Sequence, residues 1–382
     1  MISGNGSGAV VELEHLTKRY GPSSSRPAVD DLSLTIPAGE ICVLVGPSGC
    51  GKTTTMKMIN RLVEPTSGRV LIDGEDVTKL PAVELRRRIG YVIQQVGLFP
   101  HLTVAENVAV VPRLLRWPSS RIRERIDELL DVIGLEPSAY RERYPAELSG
   151  GERQRVGVAR ALAADPPVML MDEPFGAVDP IRRDRLQNEF LRLQSRVRKT
   201  IVFVTHDVDE AIKMADRIAI LQIGGILAQY DTPEAILAAP ANDFVERFVG
   251  ADRGLKRLSL ARVRDLPLIE PALARVGEPL NELRQRLAAT AVDYALLVDD
   301  RNRPLGWVDA DQLRGDGSLP ADLATPGAPL LEPESTLRDA LSAMLGSSVQ
   351  LGAVVDEKDA VIGMISVDQI AAQLRNPVAD AS

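Results

Sequence analysis

Short apolar runs alternate with amphipathic stretches of helical spacing between Val10 and about Leu237. The runs are rich in Val, Ile and Leu, which is typical of strands buried on both faces. Such strands alternating with helices indicate an α/β domain built around a parallel sheet. The runs that predict buried strands are EICVLVG (40–46), PVMLMD (167–172), TIVFVT (200–205) and RIAILQ (217–222).

A long and mainly helical insert separates the first two of these strands. In RIRERIDELLDVIGL (121–135) the apolar residues recur at a spacing of three or four, so one face of the stretch is apolar. Those residues are Ile122, Ile126, Leu129, Leu130 and Ile133. The pattern predicts an amphipathic helix inside the insert.

An internal repeat follows FVERFVG (244–250), where the texture of the sequence changes. YALLVDDRNRPLGWVDADQL (294–313) aligns without gaps with LGAVVDEKDAVIGMISVDQI (351–370), at a constant offset of 57 residues. Identical pairs at this offset are Val298/Val355, Asp299/Asp356, Gly306/Gly363, Asp311/Asp368 and Gln312/Gln369, and upstream Leu280 matches Leu337. Each copy predicts a helix, a strand, a turn, a strand and a helix. Because one such unit could hardly bury its own sheet, we expect the two copies to pack together.

Composition limits the classes of protein to consider. A chain of 382 residues exceeds the size at which one core usually stops growing, so two or three domains are expected. A net charge of −8 argues against nucleic-acid binding through overall basicity. Two cysteines, Cys42 and Cys50, form no disulfide framework and favour a reducing compartment.

Neither a signal peptide nor a membrane span is predicted. The N-terminal stretch MISGNGSGAV lacks the basic and apolar regions of a signal peptide. No apolar run approaches the roughly 18–20 residues that a helix needs to cross a bilayer. If the protein works at a membrane, we expect another chain to supply the membrane part.

GPSGCGKTT (46–54) is the strongest chemical signal in the chain. It matches G-x-x-x-x-G-K-T, directly after a predicted strand and ahead of the helical run TTTMKMINRL. In that context backbone N–H groups and a helix N-terminus surround phosphate groups. Lys52 is expected to reach the β- and γ-phosphates and Thr53 to bind Mg²⁺. The predicted ATP-binding residues here are Gly46, Pro47, Ser48, Gly49, Cys50, Gly51, Lys52, Thr53 and Thr54.

Two other predicted strands end in residues that suit phosphate chemistry. After VMLM come Asp172, which suits the magnesium shell, and Glu173, which could act as general base on a water molecule. The strand TIVFVT is followed by His206, at the edge where open α/β sheets bind ligands, and we expect it to contact the γ-phosphate. Alone, such residues are commonly solvated surface groups. The presence of GPSGCGKTT (46–54), a phosphate-binding loop or P-loop, in the same chain favours the functional interpretation.

LSGGERQ (148–154) combines two signals that disagree. Ser149 and Glu152 form the pattern of a capping box, which starts a helix. Gly150 and Gly151 would then occupy its first turn, although glycine costs roughly 0.5–1 kcal/mol relative to alanine inside a helix. Glycine also lets a group approach the backbone closely, which leaves open at this point what approaches the start of this helix.

Taken together, these motifs resemble those of ATP-binding cassette ATPases over roughly residues 10–240. The resemblance implies that Tyr20 in TKRYGP stacks on adenine. It also implies that Gln94 in YVIQQVGLFP is the loop glutamine that binds Mg²⁺ and links it and the attacking water to the partner subunit. LSGGERQ corresponds to the family's signature sequence, which acts on the ATP of a second copy through Ser149, Gly150, Gly151 and Glu152. Asp179 in FGAVDP would lie in the loop across the dimer interface, and Val178 stands where leucine is commoner. The implied catalytic residues are Glu173, His206 and Gln94, and the implied Mg²⁺ ligands are Thr53, Gln94 and Asp172.

Details narrow the resemblance to importers. The chain has one P-loop and no fused membrane span. This is the arrangement of importer cassettes, which sit under separate transmembrane permease subunits. The stretches MKMINRLVEPTSGRVLIDGEDVT and QQVGLFPHLTVAENVAVVPRLLRWP resemble importers of glycine betaine, choline, carnitine or proline betaine. The resemblance implies ATP and Mg²⁺ as cofactors, a head-to-tail dimer with a second copy, and a substrate-binding protein as an indirect partner. It also implies a peripheral location at the cytoplasmic face of the membrane and no nucleic-acid partner. The alternatives are an importer of another small solute, such as an amino acid or an oxyanion, and a cassette ATPase unrelated to transport.

The C-terminal repeat resembles a tandem pair of cystathionine-β-synthase (CBS) modules, which often regulate such importers. Nucleotide-binding CBS modules usually carry Ser or Thr after the second strand and Asp three positions later. Here Asp309 replaces the hydroxyl in the first copy, and Gln312 and Gln369 replace the later Asp. These departures favour a charge-sensing or dimerising role over ordinary nucleotide binding.

The predicted fold class is α/β: a P-loop ATPase domain with a parallel-sheet core, an antiparallel β part and a helical subdomain, followed by a tandem CBS module of α+β type. The predicted ranges are a disordered N-terminus (1–9), the ATPase domain (10–240, with its helical subdomain at about 95–165), a linker (241–256), the first CBS module (257–316), the second (317–376) and a tail (377–382).

Overall fold

A computed structural model describes most of the chain. The described residues are 8–21, 26–93, 97–176, 178–289, 293–314, 317–325, 327–347 and 349–375. The chain divides into two compact units, Met1–Gly250 and Ala251–Ser382. Of the predicted disordered N-terminus only Gly8 and Ala9 are described. Both are ordered: the N–H of Gly8 donates to the carbonyl of Arg198 at 3.0 Å, and Ala9 is buried. The predicted tail 377–382 lies outside the described residues.

The first unit contains a parallel sheet, an antiparallel sheet and two groups of helices. Its strands are β1 (Val11–Lys18), β2 (Val29–Ile36), β3 (Ile41–Val45), β4 (Ser67–Ile72), β5 (Glu75–Asp76), β6 (Ile89–Val92), β7 (Val168–Asp172), β8 (Thr200–Val204), β9 (Arg217–Gln222) and β10 (Ile226–Asp231). Its helices are α1 (Lys52–Ile59), α2 (Ala82–Arg88), α3 (Val104–Leu114), α4 (Ser119–Val132), α5 (Pro137–Tyr140), α6 (Gly150–Leu162), α7 (Pro180–Val197), α8 (Val208–Met214), α9 (Pro233–Ala238) and α10 (Asp243–Val249).

The larger sheet has the strand order β10-β9-β3-β8-β7-β6. All neighbours in it are parallel except β9 and β10, which are antiparallel. The central strands β3 and β8 are buried throughout, as expected for parallel strands covered on both faces. The carboxyl ends of β3, β7 and β8 meet at one edge of the sheet, where ligands bind in open α/β folds.

The smaller sheet is antiparallel, with the order β2-β1-β4-β5. Buried and less buried residues alternate along β2, so one face of this sheet turns towards the core. That face and the parallel sheet share one hydrophobic cluster with Met56, Met58 and Ile59 of α1. The helix that follows β3 is therefore packed between the two sheets, which fixes the position of its N-terminus.

Helices α3 to α6 form the insert between β6 and β7. Helix α4 buries Ile122, Ile126, Leu129 and Leu130, as the spacing predicts. The helix is shorter than the predicted stretch 121–135. It ends because Gly134 adopts a left-handed conformation (φ +69°), and its N–H donates back to the carbonyl of Asp131 at 3.0 Å.

The second unit contains two small sheets with the orders β11-β12-β13 and β14-β15-β16. In each, the first pair of strands is parallel and the second antiparallel. The elements are α11 (Arg253–Leu258), β11 (Leu273–Ala274), α12 (Leu280–Ala288), β12 (Tyr294–Val298), β13 (Pro304–Asp309), β14 (Leu330–Leu331), α13 (Leu337–Leu345), β15 (Leu351–Val355), β16 (Val361–Ser366) and α14 (Val367–Arg375).

The sequence repeat corresponds to a structural repeat. Leu280 and Leu337 are the first residues of α12 and α13. In both copies the aspartate after the middle strand, Asp299 or Asp356, accepts hydrogen bonds from the backbone N–H groups two and four residues later, at 2.8–2.9 Å. Residues of both sheets, Trp307 and Met364 among them, share one buried cluster, so the copies pack together as expected.

Three features of this region differ from the expectation. A short parallel strand, β11 or β14, precedes the first helix of each copy, and two residues are too few for a strand pattern to appear in the sequence. The closing helix of the first copy is only a single 3₁₀ turn at Ala310–Gln312. Helix α10 lies inside the range predicted as a linker, 241–256, and α11 begins there.

Candidate active site

The loop between β3 and α1 requires glycine at two positions. A Cβ on Gly46 would lie 2.2 Å from the carbonyl oxygen of Leu221, and one on Gly51 would lie 2.3 Å from that of Ala28. Gly51 also has a left-handed backbone (φ +102°) directly before the first residue of α1. The packing of neighbouring strands therefore fixes the loop, while Ser48 and Gly49 at its tip are exposed.

Lys52 folds back over this loop. Its side chain is 7% exposed, and Nζ donates to the carbonyl oxygens of Gly46 (2.7 Å) and Pro47 (3.1 Å). These bonds compensate for the burial of the ammonium group. The positive charge thus lies over the loop whose backbone N–H groups and helix N-terminus can surround an anion.

Thr53 and Asp172 meet at the end of β7. The hydroxyl of Thr53 donates to Oδ1 of Asp172 at 3.4 Å. Burial raises the pKa of Asp172, and the nearby charge of Glu173 raises it further, whereas the hydrogen bond from Thr53 lowers it. A hydroxyl and a carboxylate are hard oxygen ligands of the kind that Mg²⁺ prefers, so this pair fits the predicted metal. Gln94, the third predicted ligand, lies outside the described residues.

Glu173 has an unusual backbone for its residue type. Its φ of +44° is left-handed, and its N–H donates to the carbonyl of Val204 at 2.9 Å. The side chain reaches the next strand, where Oε1 lies 3.1 Å from Nδ1 of His206. Two of the predicted catalytic side chains are therefore in direct contact, one after β7 and the other after β8.

The signature stretch begins α6 with the predicted capping box. The hydroxyl of Ser149 accepts from the N–H of Glu152 (3.3 Å), and the carboxylate of Glu152 accepts from the N–H of Ser149 (2.7 Å). The hydroxyl of Tyr140 in α5 donates to the same carboxylate at 2.6 Å. The hydrogen bond from Tyr140, followed by those from Ser149, lowers the pKa of Glu152 to about 2.

Neither glycine of this stretch is required by the chain around it. Both have ordinary right-handed backbones inside α6. A Cβ on Gly150 would come no closer than 3.9 Å to the Arg153 side chain, and one on Gly151 would lie 3.7 Å from Leu186, which is ordinary van der Waals contact. Local packing therefore gives no reason for two glycines here.

Two other predicted residues lie at the surface. Tyr20 is 54% exposed, with Nζ of Lys18 5.1 Å from its ring centre. Asp179 is the N-cap of α7 and accepts from the N–H of Arg182 at 3.1 Å. Nothing in these contacts assigns a role to either residue, so their adenine-stacking and dimer-loop roles stay predictions.

Sequence reasoning missed two residues that support the site. Tyr140 holds Glu152, as described above. Gln154 is 4% exposed and donates through Nε2 to the carbonyl of Pro174, the residue after Glu173. One signal for Gln154 was present in the sequence. It lies four residues before the apolar Val158, a spacing that places both on one face of a helix, and this face of α6 is buried.

Two kinds of feature are absent from the described residues. Among them, no helix is both long and apolar enough to span a bilayer. The same part of the chain holds no group of three or more His, Cys, Asp or Glu side chains arranged to bind a metal ion.

Comparison with known proteins agrees with this geometry. The family model described as "ABC transporter" matches residues 29–176, and that described as "CBS domain" matches residues 321–376. The chain is 47% identical over 365 residues to the osmoprotectant import ATP-binding protein OsmV of Salmonella typhimurium, covering 95% of each chain. It is also 47% identical over 361 residues to the glycine betaine/carnitine/choline transport ATP-binding protein OpuCA of Bacillus subtilis, covering 94% of each.

Solved structures show the same fold. A dimeric, post-hydrolysis ATP-binding cassette bound to ADP and Pi is 35% identical with a TM-score of 0.51, covering 58% of this chain and 98% of that one. The cbiO1 protein of Clostridium perfringens, part of an ABC transporter complex, is 25% identical with a TM-score of 0.57, covering 66% and 95%.

The chain therefore belongs to the ATP-binding cassette family and is an ATPase of the ABC transporter type. Within that family it is a member of the osmoprotectant-importer group, with a CBS domain at its C-terminal end. The predicted fold class and family are confirmed.

Proposed function

We propose that this chain hydrolyses ATP to energise the import of a quaternary-amine osmoprotectant through a separate permease. Glycine betaine, choline, carnitine and proline betaine are the candidate substrates. The similarity to osmoprotectant-import proteins spans both units of the chain, which favours this group over importers of amino acids or oxyanions. The observation that carries the ATPase part is the convergence of Lys52, the Thr53–Asp172 pair and the Glu173–His206 pair on one sheet edge.

The P-loop would hold the phosphates of ATP. Backbone N–H groups of Gly46–Gly51 and the N-terminus of α1 supply fixed donors, and Lys52 exchanges its carbonyl partners for β- and γ-phosphate oxygens. Ser48 and Thr54 belong to the same binding segment, and Tyr20 would stack on the adenine. This arrangement stabilises the charge that develops on the γ-phosphoryl group.

Thr53, Asp172 and Gln94 would hold Mg²⁺, which supplies positive charge beside the phosphate oxygens when bound. The raised pKa of Asp172 fits this role, because a neighbouring cation would offset the cost of its buried charge. The two described residues of this set already lie within hydrogen-bond distance of each other.

Glu173 would accept the proton of the attacking water. With both ring nitrogens protonated, His206 would donate from Nδ1 to Oε1 of Glu173, which orients both side chains, and from Nε2 to the γ-phosphate. Gln94 would orient the same water. The three residues thus have separate roles, in which Glu173 moves the proton, His206 binds the phosphate, and Gln94 positions the nucleophile.

The signature stretch would complete the site of a second copy. The space at Gly150 and Gly151 supports this role, because glycines that the fold does not require leave the N–H groups of α6 open to an outside phosphate. Ser149 and Glu152 fix that helix N-terminus, and Asp179 would lie in the facing loop. Two copies bound head to tail would each bind ATP between one P-loop and the other's signature.

The chain would act at the cytoplasmic face of the membrane, held there by permease subunits, with a substrate-binding protein as an indirect partner. The two C-terminal repeats would form a tandem CBS module that regulates transport. In both copies the glutamine after the second strand, Gln312 or Gln369, accepts from the backbone N–H three residues earlier and so caps the helix or turn. A glutamine occupied in this way supports a regulatory role other than ordinary nucleotide binding.

Uptake of labelled glycine betaine and choline tests the substrate assignment. Cells with and without the chain are compared across a range of external osmolarity, and we expect uptake of at least one solute to require the chain. If neither solute depends on it, the substrate assignment is wrong while the ATPase assignment stands.

Replacing Glu173 tests the catalytic assignment. We expect Glu173→Gln to bind ATP and to form the ATP-dependent dimer while turnover falls at least 100-fold, in line with general-base contributions of about 10²–10⁴. Dimerisation is measured by light scattering and turnover by phosphate release. Normal turnover in this variant would contradict the assignment of Glu173 as the base.

A further inference from the structure

The buried side chain of Gln154 links the signature helix to the loop that carries Glu173. Gln154 lies in the second turn of α6, is almost fully buried, and donates through Nε2 to the carbonyl of Pro174. Pro174 directly follows Glu173 in the chain. The helix whose N-terminus would face the partner's nucleotide is therefore joined to the peptide next to the chain's own general base.

Other contacts of the described part of this loop come from β8 and α7. The N–H of Glu173 donates to Val204 of β8, and the ring of Phe175 packs against Phe203 of β8 and Phe190 of α7, with ring centres 6.0 and 6.2 Å apart. These contacts attach the loop to the sheet and to α7. The bond from Gln154 is a direct hydrogen bond from α6 to the described part of this loop, so a movement of α6 can reach the loop through it.

The conformation of Glu173 makes it sensitive to that bond. A left-handed backbone is unfavourable for a non-glycine residue, so it persists only where the surrounding contacts hold it. Pro174 supplies one of those contacts through its carbonyl. Displacing this carbonyl alters the backbone on which the carboxylate of Glu173 stands.

Helix α6 can pass on such a displacement as a rigid body. Ser149 and Gln154 lie five positions apart along it, which is about 7–8 Å at 1.5 Å per residue. The capping box of Ser149 and Glu152 fixes the first turn, and Arg155 joins the helix to Glu189 of α7 at 2.9 Å. A phosphate bound at the N-terminus of α6 therefore acts on Gln154 through an ordered segment.

We propose that Gln154 is a positioning residue that couples occupation of the signature by the partner's nucleotide to the placement of Glu173 in its own chain. The proposal rests on the composite site proposed above, in which each ATP lies between the P-loop of one chain and the signature of the other. It adds the direction in which the two chains influence each other. Each chain's hydrolysis centre responds to the nucleotide bound on the other chain, through its own signature helix.

The first test separates dimerisation from turnover in the full-length chain. In Gln154→Met the donor is lost and the volume is nearly kept. We expect turnover to fall about tenfold with the KM for ATP unchanged within twofold. In the Glu173→Gln background, the ATP-dependent dimer measured by light scattering should persist. Gln194→Met is the matched control, because buried Gln194 also donates to backbone carbonyls, those of Gly39 and Lys199, away from the site. Its turnover should stay within twofold of the unmodified chain.

A second variant restores the donor by protonation. In Gln154→Glu the ionised carboxylate faces the carbonyl of Pro174 and cannot donate, whereas the protonated form can. Burial raises the pKa of a carboxyl group, so the protonated form becomes populated as the pH falls. Relative to the unmodified chain, turnover of this variant should recover between pH 8 and pH 6, and that of Gln154→Met should not.

Three results would overturn the proposal while the composite site stands. One is turnover in Gln154→Met equal to that of the Gln194→Met control. Another is a loss of the ATP-dependent dimer in proportion to turnover, which would mean that Gln154 only supports the signature. The third is a Gln154→Glu variant whose relative turnover does not change with pH. Absence of any ATP-dependent dimer in Glu173→Gln alone would overturn the composite site, and this inference with it.

Discussion

Asp172 carries a charge that the nucleotide-free protein disfavours. Burial raises its pKa, and the adjacent Glu173 adds to the effect. The native state therefore binds more protons than the unfolded chain between the ordinary and the raised pKa of this carboxyl group. Stability falls as the pH rises through that window and remains lower at neutral pH. We interpret this cost as part of the proposed metal site, because a bound cation would offset it.

Removing this charge should stabilise the nucleotide-free protein and abolish its activity. In Asp172→Asn we expect the thermal midpoint at pH 7 to rise, with each 1 kcal/mol gained corresponding to about 2–4 °C in a domain of this size. ATP hydrolysis should fall at least 100-fold. Calorimetry without nucleotide measures the first effect and phosphate release the second.

The pH dependence provides the internal control for this variant. Below the window Asp172 is protonated in both states, so the difference in midpoint between the variant and the unmodified chain should disappear. A midpoint that is lower in Asp172→Asn at pH 7 would show that the charge stabilises the fold, contrary to the pKa argument.

At the scale of residues, the sequence predicts the position of those side chains of the site that belong to contiguous motifs. Lys52, Asp172 and His206 each belong to a motif at the carboxyl end of a recognisable strand, so their arrival at one edge follows from parallel topology. The bonds of Tyr140 to Glu152 and of Gln154 to the loop after Glu173 could not be predicted in this way. They depend on how separate helices and loops pack, and neither residue lies in a pattern that specifies its partner.

At the scale of elements, the first turn of α6 is the least explained by local physics. A capping box favours this helix start, whereas two glycines in the same turn disfavour it. There is space for a Cβ at both positions. We infer that the glycines serve an approach from outside the chain and that the fold would tolerate larger residues.

Alanine at these positions should separate stability from function. We expect Gly150→Ala and Gly151→Ala to raise the free energy of unfolding by up to about 0.5–1 kcal/mol each, because alanine favours the helix. The ATP-dependent dimer, measured by light scattering in the Glu173→Gln background, should weaken at least tenfold. Urea unfolding measures the stability of each variant.

Gly134→Ala is the matched control for these two variants. It also has open space around it, but its left-handed backbone (φ +69°) makes alanine unfavourable. It should therefore destabilise the protein and leave dimerisation unchanged. Full dimerisation in both signature variants would argue against a phosphate at this helix N-terminus.

Element boundaries show where sequence patterns stop being informative. The strands around the P-loop match their predicted runs within a residue at each end, because buried parallel strands are continuous apolar runs. The end of α4 was predicted too late because apolar spacing continues through Ile133, although the conformation of Gly134 stops the helix. Strands β11 and β14 have two residues each, too few to produce any periodic signal.

At the scale of the whole molecule, the two units have separate cores. The parallel and antiparallel sheets of the first unit share one cluster around α1, and the second unit has clusters of its own around its two small sheets. The residues proposed to bind ATP all belong to the first unit. ATP should therefore stabilise the first unit directly.

Separate cores predict two unfolding transitions, of which ATP shifts only one. The full chain carrying Glu173→Gln, which prevents hydrolysis, is scanned by calorimetry with and without Mg-ATP. At 100 times Kd the ligand should stabilise the first unit by about 2.7 kcal/mol, so the midpoint of one transition rises and the other stays fixed. Residues 1–250 produced alone identify the shifted transition, because they contain the P-loop and its core. If both transitions rise together, the second unit either binds the nucleotide or unfolds with the first, and the glutamines at 312 and 369 would no longer argue against a nucleotide there.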